Sequence, residues 1–140
     1  MKLKIGIIGL GVGQKHVEAF DSHPFCKVSA VSDFSEKKRK YFSVTYPDIK
    51  TVINADEILR DPNIDIVSIA SYDNYHYEQI IKAISSNKHI FIEKPLCLFE
   101  KEAKEIRSLL NKHPHIKMSS NLTLRTCPRF IRIKDAIHNG

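Results

Sequence analysis

Short β-branched runs alternate with helical patterns from one end of the chain to the other, and this alternation restricts the fold more than any other feature. Residues 3–8, 28–32, 51–53, 64–70, 89–92 and 116–124 read as strands. Between them lie helical patterns at 13–21, 35–46, 54–60 and 75–85. Phe99, Ala103, Ile106 and Leu110 then mark one stripe of a further helix, and a last helix starts near Pro128. The run 64–70 is almost continuously apolar, as expected of a strand covered on both faces in a parallel sheet. Repeated strand–helix units give an α/β class: a single-domain, doubly wound parallel sheet with right-handed crossovers.

Local signals agree with that order. Asn54 with Glu57 three residues on reads as a capping box, and Asn87 reads as the end of a helix. Pro95 prevents the fifth strand from continuing as a regular ladder. Glu100 with Lys104, and Lys101 with Glu105, are spaced to pair on the wet face of their helix.

At 140 residues the chain can bury a working core. No apolar run approaches the roughly 20 residues of a membrane span. Met1 to Lys4 run straight into the first strand, so no signal peptide is expected ahead of the fold. Cys26, Cys97 and Cys127 are few, odd in number and far apart, which predicts reduced thiols in a cytoplasmic protein and no metal site. The net charge of +6 raises the question of nucleic acid. Its only dense basic run, Lys37-Lys38-Arg39-Lys40, reads as a solvated helix face, with no aromatic platform or recognition motif beside it.

In such a sheet, ligands sit at the carboxyl ends of the strands. The first strand ends in Gly9-Leu10-Gly11-Val12-Gly13, a Gly-x-Gly-x-Gly loop one residue shorter than the usual dinucleotide fingerprint. A glycine loop opening a helix seats an anion, because backbone amides and the helix dipole face it. The second strand ends in Asp33, 24 residues after Gly9. A carboxylate there can accept both hydroxyls of an adenosine ribose and repel a 2′-phosphate, favouring NAD over NADP; it can equally cap the helix opening at Ser35. The fourth strand ends in Ser71-Tyr72-Asp73-Asn74-Tyr75-His76, polar groups suited to a nicotinamide or substrate. The fifth ends in Glu93-Lys94-Pro95. A lysine there can stabilise a developing alkoxide or tune a proton transfer, with Glu93 to orient it; a surface ion pair is the plainer alternative.

These residues, in this order, resemble the Gfo/Idh/MocA family of glucose–fructose oxidoreductase, inositol dehydrogenase and rhizopine-catabolism enzymes. The likeness runs through Gly9 to His16, Asp33, 65–70, Ser71 to His76, the stretch from Asn87 to Leu96, and Arg125 with Pro128. It implies a Rossmann-type cofactor domain at residues 1–125, with 126–140 beginning the connection to an α/β substrate domain that this chain lacks. The implied activity is hydride transfer between NAD, with NADP less favoured, and a sugar, cyclic polyol or nucleotide-sugar hydroxyl. Gly9, Gly11, Val12 and Gly13 would hold the pyrophosphate and Asp33 the ribose. Ala70, Ser71, Asn74 and His76 would line the cofactor toward its nicotinamide, Glu93, Lys94 and Pro95 would face the reacting centre, and Arg125 would edge the cleft. Glu93 and Lys94 would be the catalytic pair. The resemblance further implies a homo-oligomer when full length and a cofactor domain that is inactive alone, with Ile131, Ile133 and Ile137 short of cover. A non-catalytic dinucleotide sensor is the main alternative. A class I methyltransferase is less favoured, since it normally has a carboxylate two residues before its first glycine, where Ile7 stands.

Overall fold

The computed structural model describes residues 2–140. Six parallel strands make one sheet in the order β3-β2-β1-β4-β5-β6. They are β1 (Leu3–Ile8), β2 (Cys26–Ser32), β3 (Lys50–Val52), β4 (Ile66–Ile69), β5 (His89–Ile92) and β6 (Met118–Ser120). The helices are α1 (Gly13–Asp21), α2 (Glu36–Thr45), α3 (Ala55–Leu59), α4 (Asp73–Ser85), α5 (Glu100–Lys112) and α6 (Pro128–Asn139). The doubly wound parallel sheet expected from the alternation is the fold observed.

Strand alternation sends successive side chains to two separate cores. Ile5 and Ile7 of β1 join Val28, Val31, Val17 and Phe42 beneath α1 and α2. Ile8 joins Val67, Ile69, Ile80, Ile84 and Ile106 beneath α3, α4 and α5. On β4 the alternation places Val67 and Ile69 in the second core, while Ser68 is a buried polar residue between them.

The elements begin and end where local bonds compete with the ladder. β4 is shorter than its apolar run because Ile64 closes a turn onto Asp61 O at 3.1 Å, and Asp65 gives its carboxylate to the Lys4 amide at 2.7 Å. β6 stops after Ser120: the Asn121 amide makes the last bond to β5, at Ile92 O, and the chain then tightens into a 3₁₀ turn at Thr123–Arg125. α4 starts two residues earlier than its pattern suggests, at Asp73. Asn54 caps α3 as expected, accepting from Asp56 N at 2.9 Å, whereas Glu57 leans toward Lys50. Asn87 takes the left-handed conformation (φ 59°) that ends α4. Glu100 pairs with Lys104 at 2.7 Å, but Glu105 accepts the Tyr77 hydroxyl in place of Lys101. No helix among the described residues is long and apolar enough to cross a membrane. α6 is exposed along its length, Ile131, Ile133 and Ile137 included.

Lys88 is buried at the start of β5, its ammonium donating to the carbonyls of Asp61 and Ile64. Burial pushes its pKa below the ordinary lysine range, with Asp61 and Asp65 acting in the opposite direction. The side chain thus pins the α3–β4 turn to the sheet. Lys88→Met leaves Ile64 O without its donor, while Asp61 O keeps the Ile64 amide, at a cost of about 1–3 kcal/mol. Urea unfolding is expected to register a loss of roughly 1–3 kcal/mol; an unchanged midpoint would show that water replaces the ammonium at no cost.

Candidate functional site

β1 and β4 are neighbours, but the helices that follow them pack on opposite faces of the sheet. Their carboxyl ends therefore part, opening a cleft at the point where the strand order reverses. A cavity of about 580 Å³ lies there. Its floor is the Gly9–Val12 loop, and one wall is Asp33, Phe34 and Lys38 from the β2–α2 connection. The other wall is Ala70, Ser71 and Tyr72 after β4, with Gln79 behind them.

The glycines have different reasons for being there. Gly9 sits at φ 94°, its amide on Ser32 O at 2.7 Å, and a Cβ would lie 2.3 Å from Ala70 O. At Gly13 a Cβ would press on Ile7 Cγ2 at 3.1 Å, so its absence lets α1 settle onto β1. At Gly11 a Cβ would meet nothing closer than Lys38 Nζ at 3.9 Å. Packing within the protein does not require that glycine, whose bare backbone leaves room for an approaching ligand. No side chain caps the start of α1, so its first amides and dipole remain for an anion. The loop therefore fits a pyrophosphate.

Asp33 combines both alternatives read from the sequence. Its Oδ1 accepts from Ser35 N at 2.8 Å, and its Oδ2 accepts from Leu10 N at 2.7 Å. It thus caps the turn into α2 and ties that turn to the glycine loop, yet it still lines the cavity. Each carboxylate oxygen has more than one acceptor direction, so capacity remains for a ribose hydroxyl. The basic run differs from the solvated face expected of it. Lys38 turns into the cleft, 3.4 Å from Asp33 Oδ2, and Arg39 donates to the carbonyls of Asp33 and Phe34 at 2.8 and 2.9 Å. Lys37 and Lys40 are exposed as expected, Lys40 pairing with Glu36 at 2.7 Å.

Beyond β5, the Glu93-Lys94-Pro95 turn is held from both sides. Glu93 Oε1 accepts from His16 Nε2 at 3.0 Å and from Asn121 Nδ2 at 2.7 Å, while Oε2 accepts from Lys94 N at 3.3 Å. Burial alone would raise the Glu93 pKa, but these three donors outweigh it and hold the carboxyl below the usual glutamate range. On the other flank, His76 Nδ1 lies 2.7 Å from Pro95 O and Nε2 lies 3.1 Å from Ser71 O. Lys94 between these clamps is exposed, and its ammonium has no hydrogen-bond or ion-pair partner among the described residues. The surface ion pair considered for it does not form.

Three further candidate residues lie outside the lining of the glycine-loop cavity, as do Glu93, Lys94 and Pro95. His76 is completely buried, with its two ring nitrogens against the Pro95 and Ser71 carbonyls. Asn74 is exposed on the first turn of α4, outside the cavity lining. Arg125 lines a second hollow, with Phe91, Ser119 and Asn121, because the 3₁₀ turn carries it to the outer edge of the sheet. Conversely, sequence reasoning missed Lys38, Phe34 and Asn121. Lys38 had a readable signal: it lies five residues after Asp33, within the first turn of α2. Asn121 had none, since only the end of β6 brings it to Glu93.

The fold and this cleft define a dinucleotide-binding α/β domain. The family model described as "Oxidoreductase family, NAD-binding Rossmann fold" (Gfo/Idh/MocA) matches residues 3–120, and the chain belongs to that family. It is 31% identical over 136 residues to the uncharacterized oxidoreductase YrbE of Bacillus subtilis, covering 96% of this chain and 40% of that one. It is 30% identical over 141 residues to the myo-inositol 2-dehydrogenase of Thermotoga maritima, covering 99% and 41%. Among solved structures, myo-inositol 2-dehydrogenase from Lactobacillus plantarum superposes with a TM-score of 0.89 at 25% identity, over 100% of this chain and 42% of that one. The chain thus spans about two-fifths of the length of the relatives it matches.

Proposed function

We propose that this chain is the cofactor-binding part of a dehydrogenase that oxidises a hydroxyl of a cyclic polyol or sugar, with NAD preferred to NADP. The carrying observation is the unpartnered Lys94 ammonium on a backbone held by clamps at both neighbouring residues, beyond the strand next to a glycine-loop cleft. The polyol reading is supported by relatives named as myo-inositol 2-dehydrogenases. Gly9, Gly11, Val12 and Gly13 would seat the pyrophosphate, and Asp33 would accept from the adenosine ribose. Ala70 and Ser71 would continue that wall. The nicotinamide, when bound, would take up or return the hydride.

Lys94 would supply what an alcohol needs as its C–H electrons leave. A positive charge fixed near the substrate oxygen stabilises the alkoxide character that develops there. Glu93 serves this role by staying ionised and fixed, which limits the directions the lysine can take. The 140 residues alone would bind cofactor and not turn it over, because they span two-fifths of the length over which the relatives build their activity.

Calorimetric titration of NAD, then NADP, into the chain tests this reading. Saturable one-to-one binding with NAD favoured is the expected result. No binding of either would remove the dehydrogenase reading, and preferential binding of S-adenosylmethionine would replace it with a methyltransferase.

A further inference from the structure

We propose that His16 is a positioning residue that locks the Lys94 turn to the helix seating the pyrophosphate. The inference rests on the cofactor reading above, since that reading is what makes the Lys94 turn a reacting centre. His16 lies one helical turn beyond the glycine loop, on the buried side of α1, with only 6% of its surface exposed. Its ring bridges two strands. Nδ1 is 2.8 Å from the hydroxyl of Ser68, a fully buried residue of β4, and Nε2 is 3.0 Å from Glu93 Oε1 at the end of β5. The Phe91 ring, its centroid 5.3 Å from that of His16 in a T-shaped arrangement, closes a third side.

These partners select one tautomer. An ionised Glu93 can only accept, so Nε2–H donates to it and Nδ1 accepts from the Ser68 hydroxyl. Ser68 therefore fixes the plane of the ring and the ring fixes the carboxylate. Asn121 fixes the same carboxylate oxygen from β6, and the other oxygen holds the Lys94 amide. The chain of contacts runs from the buried face of the first helix out to the exposed backbone of Lys94.

Stability alone does not account for such a group. A buried imidazole–carboxylate contact loses hydration on both partners, and well-packed apolar residues commonly do as well or better in its place. Directed hydrogen bonds add a defined orientation, which apolar packing does not give. The location supports the same conclusion. His16 joins the element that opens at the glycine loop to the element that presents Lys94, and these two must keep register for one cofactor to reach both.

Two substitutions separate orientation from packing. His16→Gln can return an amide donor near the Nε2 position, toward Glu93. His16→Asn reaches only as far as Nδ1, so it can keep the Ser68 contact but leaves Glu93 without that donor. In NMR spectra of the 140-residue chain, His16→Asn should move the Glu93 carboxyl titration upward and shift the Lys94 amide. His16→Gln should restore both toward wild type. Ser68→Ala, which frees the ring without touching Glu93, should shift the Lys94 amide in the same sense and serves if His16→Asn does not fold. Unchanged Glu93 and Lys94 signals in a folded His16→Asn or Ser68→Ala chain would overturn the lock, as would identical spectra for the Gln and Asn variants. NAD-induced shifts at Gly11 and Val12 of the wild-type chain report separately on the cofactor reading. Their absence would overturn that reading while the Glu93 and Lys94 signals still judged the lock.

Discussion

Gly9→Ala is expected to destabilise the fold, while Gly11→Ala, two residues away, should spare the fold and cost the ligand. At Gly9 the backbone stands at φ 94°, a region that L side chains occupy only with strain, and the added methyl would lie 2.3 Å from a backbone carbonyl oxygen. Strain of about 1–2 kcal/mol and overpacking of about 1–3 kcal/mol put the loss near ~3 kcal/mol. For a domain of this size that is roughly 10 °C in Tm. The carbonyl belongs to Ala70, so relief would require β1 and β4 to part at the cleft itself. At Gly11 the nearest atom to the added methyl is the mobile end of Lys38, at 3.9 Å. Stability should stay within about 0.5 kcal/mol, yet NAD should bind at least about tenfold more weakly if its phosphates rest against that backbone. Thermal unfolding with calorimetry on both variants decides the matter. A Gly11→Ala chain that binds NAD as wild type does would put the pyrophosphate elsewhere.

This contrast also marks where sequence reading reached its end. Alternation and glycine spacing indicated the doubly wound parallel class and the glycine loop after the first strand, because both follow from local periodicity and from short connections. The terminal residues of each strand could be named as site candidates for the same reason. Direction was not legible. His76 and Lys94 both follow apolar strands and read alike as polar groups near a ligand, yet one faces two carbonyls in the interior and the other faces solvent. That difference is set by the turn at Pro95, whose carbonyl meets the ring from 19 residues away in the chain. His16 stood in the open within the glycine motif, but its meaning depends on Ser68 and Glu93, which only the assembled sheet brings to it. Lys38 was hidden by its neighbours, since four consecutive basic residues look alike until the helix distributes them around its axis.

Asp33 and Lys38 together set the second large expectation, a change in cofactor choice. Asp33→Ala should weaken NAD by about ten- to a hundredfold, the range of a lost hydrogen bond to a charged group of about 1.5–3 kcal/mol. NADP should suffer less or gain, because the repulsion on its 2′-phosphate disappears and the Lys38 ammonium, now 3.4 Å from the carboxylate, is left without that partner. On the proposed reading, a preference for NAD would rest on a balance of opposite charges at one point of the cleft. Lys38→Ala tips it the other way, lowering whatever affinity NADP has and leaving NAD nearly unchanged. Since Asp33 also holds the buried Leu10 and the Ser35 amides, the Ala variant should lose stability as well, and binding must be compared where both chains are folded. The ratio of the two dissociation constants is then the decisive quantity, because a loosened glycine loop weakens both cofactors alike. A ratio that stays at its wild-type value in Asp33→Ala would assign the carboxylate to the β2–α2 turn alone and move the choice between NAD and NADP to Lys38.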